Sequence, residues 1–117
     1  MAGYLTTHVL DTARGVPAGG LRIELHRLHG TRREKVAEAV TDEDGRTEVP
    51  ILSKEAFETG VYELTFHCGD YLAEAGVASG DPRFLDVVPL RFGMAEDTHY
   101  HVPLLLSPFG YSTYRGS

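Results

Sequence analysis

An all-β fold is predicted for this chain: a two-sheet antiparallel β-sandwich of seven or eight short strands with one short helix. Three observations predict it. Apolar and polar residues alternate at period two in several separate stretches, the pattern of half-buried strands. Thirteen Gly and six Pro are spread along the chain and punctuate those stretches with turns. Only one segment carries both a start and a stop signal for a helix. Antiparallel strands that each have one apolar face satisfy that face by packing sheet on sheet. With 117 residues the chain fits one domain, residues 1–117, and can bury roughly two-thirds of its unfolded surface in a single core.

The strands justify themselves in order. Residues 4–11 alternate, with Leu5, Thr7 and Val9 on one side and Thr6, His8 and Leu10 on the other. A turn-rich loop over residues 14–20 leads to the cleanest alternation, residues 21–29, where Leu21, Ile23 and Leu25 face inward and Arg22, Glu24 and His26 face out. Gly30 and Thr31 turn the chain, and residues 36–41 return beside it. Asp42, Glu43, Asp44 and Gly45 form a strong turn signal, after which residues 46–49 begin a short strand with Arg46 at its end. Residues 53–59 suit a helical turn, and residues 61–68 a strand with Tyr62, Leu64 and Phe66 inward. The helix is placed at residues 70–75, with Asp70 as N-cap and Gly76 just past the end. Pro89 marks the strand at residues 84–92 as an edge or a bulge.

The last twenty residues read as two strands joined by a turn. Tyr100, Val102, Leu104 and Leu106 share a core face, while His99, His101, Pro103 and Leu105 share the other. Ser107, Pro108 and Gly110 supply the turn, and residues 111–114 resume a pattern rich in Tyr and Thr. A well-patterned strand followed by Tyr-Arg-Gly-Ser, with an aromatic ring, a guanidinium and a carboxylate, points to a tail with a role beyond closing the sheet.

Composition excludes several classes. A formal net charge of −6 disfavours nucleic acid, whose phosphates call for clustered Lys and Arg. Arg32, Arg33 and Lys35 are interrupted by Glu34 and read as a solvated hairpin. Cys68 has no partner for an intramolecular disulfide and fits a core position. Neither a leader-like N-terminus nor a run of membrane-spanning length is found, so a cytoplasmic protein without a membrane contact is expected. The acidic turn lacks the helices and the later Glu of a calcium loop. Gly-x-Ser-x-Gly, Rossmann and P-loop patterns are absent.

Six histidines remain. His26, His29 and His67 occupy outward or strand-end positions and read as solvated. His8 and His101 share outward faces with Leu10, Pro103 and Leu105, a patch that a ligand or another subunit would cover. By spacing alone His99 and His101, with His8 as a third, could ligate a transition metal, although no Cys or carboxylate completes the set. Metal-free acid–base chemistry or simple binding suits the same residues.

The segment Ser-Pro-Phe-Gly-Tyr-Ser-Thr-Tyr-Arg-Gly-Ser, preceded by His-Tyr-His-Val-Pro and, near the N-terminus, by Thr-Thr-His-Val-Leu-Asp, resembles the transthyretin-related 5-hydroxyisourate hydrolases. The resemblance spans essentially the whole chain and implies a transthyretin-like sandwich. It implies active-site roles for His8, Arg46 and His101 and for the tail residues Tyr114, Arg115, Gly116 and Ser117. Of these, His8, Arg46, His101 and Ser117 are expected in catalysis; His8, Arg46, Tyr114, Arg115 and Gly116 are expected to hold substrate. Phe109 departs from the Tyr more usual in the family. No metal and no cofactor are implied. The implied reaction opens a cyclic amide of 5-hydroxyisourate, with Arg46 stabilising negative charge and His101 or His8 as base. The implied assembly is a homotetramer, a dimer of dimers. Hormone-carrying transthyretins share the fold but lack the two histidines, the arginine and the tail. A small-molecule carrier without turnover is the alternative, and it would gain nothing from cations and imidazoles that cost desolvation.

Overall fold

A computed structural model describes residues 2–116. Eight strands form two sheets of four. One sheet has the order β2-β1-β7-β8, from β1 (Tyr4–Asp11), β2 (Val16–Pro17), β7 (His99–Ser107) and β8 (Gly110–Thr113). The other has the order β4-β3-β5-β6, from β3 (Arg22–His29), β4 (Arg32–Val40), β5 (Gly60–His67) and β6 (Val87–Met94). The all-β sandwich expected from alternation is the fold found.

The core lies between the sheets and contains the residues that alternation turns inward. Leu5 and Val9 of β1 and Leu104 and Leu106 of β7 are fully buried, as are Ile23 and Leu25 of β3 and Tyr62, Leu64 and Phe66 of β5. Each such side chain contributes about 1.5–3 kcal/mol relative to an exposed one. Cys68 also belongs to this core, and burial pushes its thiol up to about 12, which leaves it protonated and inert.

Several local expectations are corrected. β1 and β7 pair in parallel, because alternation encodes which face is buried and not the direction of a neighbour. Residues 46–49 do not make a strand; Arg46 forms only an isolated bridge with His8. The helix α1 (Cys68–Glu74) starts two residues before Asp70, so Asp70 sits in its first turn and His67 takes the cap position. There the carboxylate still faces the positive end of the helix dipole. β4 begins at Arg32, directly after a two-residue turn whose Gly30 has φ of +63°. Pro89 lies on β6, an edge strand, as its missing N–H requires.

His67 is not solvated: its side chain is 14 % exposed and its Nε2 lies 2.8 Å from the Glu24 carboxylate. Its partner is legible only from the pairing of β3 with β5. Among the described residues no helix is long and apolar enough to cross a membrane.

Candidate active site

The parallel register of β1 on β7 builds the site. Tyr4 lies opposite His99, Thr6 opposite His101 and His8 opposite Pro103, so these side chains share the outer face of their sheet. The Tyr4 and His99 rings stack with centroids 4.1 Å apart and planes 2° from parallel. The Thr6 hydroxyl lies between two imidazoles, 2.7 Å from His99 Nε2 and 2.8 Å from His101 Nδ1. Leu10 and Leu105 are half-buried, and Pro103 is buried, so less of this apolar patch is bare than alternation suggests.

Arg46 reaches the same face from the acidic turn. Asp42 Oδ1 accepts from the backbone N–H groups of Asp44 and Arg46, at 2.9 and 3.1 Å. The Gly45 carbonyl accepts from Val9 N at 2.8 Å, and the Asp44 carbonyl lies 2.9 Å from His8 Nε2. A carbonyl only accepts, so His8 carries a hydrogen on Nε2 and donates it there. Gly45 has φ of +76°, and a Cβ on it would sit 2.3 Å from the Val9 carbonyl oxygen. Only glycine lets the turn approach β1 so closely. The Arg46 side chain is exposed and makes no ion pair among the described residues.

The tail returns along β7. Gly116 N donates to the His101 carbonyl at 2.7 Å, in the same register as the β7–β8 ladder. Pro103, lacking an N–H, interrupts that ladder, and its carbonyl accepts instead from the Thr113 hydroxyl at 2.7 Å. Gly116 lies against the His101 ring, where a Cβ would come within 2.6 Å of Cδ2. Tyr114 is exposed. The Arg115 guanidinium is 4.1 Å from the Tyr100 ring centroid, on the far side of the strand from the histidines. The structure therefore brings together His8, Arg46, His101 and Gly116, and does not bring the Arg115 side chain to them. Ser117 lies outside the described residues.

Electrostatics single out His101. Its imidazole is held below the usual value of 6.5, first by burial and then by the positive charge of Arg46 and by His99 and His8. It is therefore neutral at pH 7, and its Nε2 makes no hydrogen bond among the described residues. Among those residues no three His, Cys, Asp or Glu side chains are grouped as metal ligands. A cleft of about 410 Å³ opens beside it, lined by Thr6, Arg46, Thr47, His99 and His101. A second, more apolar cleft of about 440 Å³ lies between the open edges β6 and β8, lined by Phe92, Tyr100, Tyr114 and Arg115. It holds no imidazole. A neutral imidazole beside a guanidinium that has no ion pair among the described residues can take a proton while negative charge develops nearby. Sequence reading missed Thr6 and Tyr4; the available signal was their place on the outward face of the His8 strand.

A two-sheet sandwich carrying imidazoles and a guanidinium over one outer sheet face defines a transthyretin-like β-sandwich protein with a polar site. Residues 5–116 match the HIUase/Transthyretin family, and the chain belongs to it. It is 60 % identical over 117 residues to 5-hydroxyisourate hydrolase 2 of Rhizobium meliloti (strain 1021), covering 99 % of this chain and 98 % of that one. Among solved structures, (S)-allantoin synthase superposes with a TM-score of 0.91 at 51 % identity. That match covers 98 % of this chain, which spans only 44 % of the longer protein. The Klebsiella pneumoniae 5-hydroxyisourate hydrolase superposes with a TM-score of 0.82 at 37 % identity, over all of both chains.

Proposed function

We infer that this chain is a hydrolase that opens 5-hydroxyisourate at a cyclic amide C–N bond, giving 2-oxo-4-hydroxy-4-carboxy-5-ureidoimidazoline. The observation that carries the reading is His101, half-buried beside Arg46, with no hydrogen bond at Nε2 among the described residues and with its pKa held down by burial and by that guanidinium. The full-length relative named for this activity supports it.

In the proposed mechanism His101 Nε2 removes a proton from water as the water oxygen attacks the amide carbonyl carbon. Arg46 faces the oxygen on which charge develops. When the C–N bond breaks, the imidazolium returns its proton to the departing nitrogen, and the carbonyl carbon becomes a carboxyl group. One water is consumed and no electrons change hands. His8, tethered to the Asp44 carbonyl, serves as a substrate-facing group held in one orientation. Gly116 supports His101 from the tail, where Tyr114 and Arg115 are proposed to hold substrate and Ser117 to take part in catalysis. A carrier of apolar ligands has no use for an imidazole kept neutral beside a guanidinium.

The same proposal includes a homotetramer. Phe109 at the β7–β8 turn and Tyr114 just past β8 expose 75 % and 60 % of their surface. Packing sheet against sheet would cover Tyr114 together with the half-buried Leu10 and Leu105 of the same outer face. A cytoplasmic location accords with a single, buried cysteine. The test is turnover of freshly generated 5-hydroxyisourate by the parent and by Arg46→Ala and His101→Ala. Losses of about a hundredfold or more are expected in each variant; parent-like rates in both would overturn the site.

A further inference from the structure

The Thr6 hydroxyl has one hydrogen, yet it lies within hydrogen-bond distance of two imidazole nitrogens, His99 Nε2 at 2.7 Å and His101 Nδ1 at 2.8 Å. A neutral imidazole nitrogen either donates or accepts. The two contacts are thus linked: Oγ1 can donate to only one of the two nitrogens, so at least one imidazole donates to it, and if His101 does so the hydroxyl hydrogen is available for His99. Among the described residues Thr6 Oγ1 has no other side-chain partner. His99 is in turn held by its parallel stack on Tyr4, whose other neighbour is the Lys54 ammonium, 5.5 Å from the ring centroid. Neither ring is free to reorient at will.

We propose that Thr6 and His99 are positioning residues that set the tautomer of His101. His101 Nδ1–H donates to Thr6 Oγ1, and Thr6 Oγ1–H donates to His99 Nε2. The remaining His101 nitrogen, Nε2, is then a lone pair facing the cleft. The opposite order would make His101 a donor at Nε2, unable to accept the water proton. This direction of the chain rests on the hydrolase reading. The groups that face His101 are His8 and Thr6 from β1, His99 from β7, Arg46 from the acidic turn and the backbone of Gly116 from the tail. Of the titratable groups among these, only His99 communicates with Nδ1, through the Thr6 hydroxyl. Protonating His99 makes its Nε2 a donor to Thr6 Oγ1, which releases the hydroxyl hydrogen and removes the acceptor that draws it away from His101 Nδ1. The protonation state of His99 thereby bears on the tautomer of the base.

Nitrogen NMR of the whole protein reads the tautomers directly, without substrate. The parent should show His101 protonated at Nδ1 and unprotonated at Nε2. Thr6→Val preserves side-chain shape and removes the relay; His99→Phe keeps a ring against Tyr4 and removes the acceptor. Both should shift His101 toward the Nε2–H form and lower kcat by about tenfold or more with little change in KM. Thr6→Ser should restore the parent tautomer and most of kcat. A parent His101 protonated at Nε2, or Thr6→Val and His99→Phe with parent tautomer and parent kcat, would overturn the proposal. If the parent itself fails to turn over 5-hydroxyisourate, the hydrolase reading falls, and the nitrogen signals still decide the proton chain.

Discussion

Replacing Gly45 with Ala perturbs the site through the backbone alone. Gly45 has φ of +76°, where an L side chain costs roughly 1–3 kcal/mol. The added Cβ would also lie 2.3 Å from Val9 O, so the turn must retreat by about 0.7 Å to reach a 3.0 Å contact. That movement draws Gly45 O away from Val9 N, and with it the Asp44 carbonyl that holds His8 and the bridge that carries Arg46. With a urea dependence of roughly 1–3 kcal/mol per molar for small domains, the unfolding midpoint should fall by about 1 M. A displacement approaching 1 Å at a charge-stabilising group costs up to about a hundredfold in rate. Gly30→Ala is the control: φ is +63°, no atom lies within 4 Å, and the hairpin is on the other sheet. It should lose comparable strain energy and keep its turnover. Urea titration and steady-state assay of both variants decide it. If Gly45→Ala loses no more turnover than Gly30→Ala, the turn does not position Arg46 and His8.

Other outcomes follow from the same structure. Since His101 is held below the ordinary imidazole range, its neutral form persists as pH falls, and the acid limb of kcat/KM should lie below pH 6.5; a limb well above that value would assign the base elsewhere. The Glu24 carboxyl is lowered chiefly by its hydrogen bond with His67, so it adds stability above the unfolded carboxylate pKa that is lost as pH drops through the folded value. Glu24→Gln should flatten that acid loss in thermal melts. Glu63, nearly buried, receives Arg33 at 2.6 Å and Arg91 at 3.3 Å; Glu63→Ala should cost about 1–3 kcal/mol in urea unfolding while leaving kcat unchanged. Deleting residues 114–117 should leave cooperative unfolding intact and lower turnover by orders of magnitude, because charge-stabilising and positioning groups act together; parent-like rates would make the tail structural.

Much of the sandwich was legible because burial at period two is written directly in residues such as Leu21, Ile23 and Leu25, or Tyr100, Val102 and Leu104. The site was legible in part. His8 and His101 announced themselves by sharing outward faces with apolar neighbours, and Arg46 by following an Asp-Gly turn. Thr6 did not, since a threonine in a strand is unremarkable until the parallel register sets it between His99 and His101. That register joins residues more than ninety positions apart, and no local pattern encodes it. His67 was misread for the same reason: Glu24, across the β3–β5 ladder, removes it from solvent. The helix start was misplaced because Asp70 suits the first turn as well as the cap, and backbone geometry decided between them.

Turnover at a neutral imidazole is measured most directly by the decay of freshly generated 5-hydroxyisourate, followed by absorbance with the parent protein at substoichiometric concentration. Many turnovers per chain are expected, with decay far faster than in buffer and in proportion to protein. Decay at the buffer rate, with the compound bound stoichiometrically and recovered unchanged, would contradict it and identify a carrier.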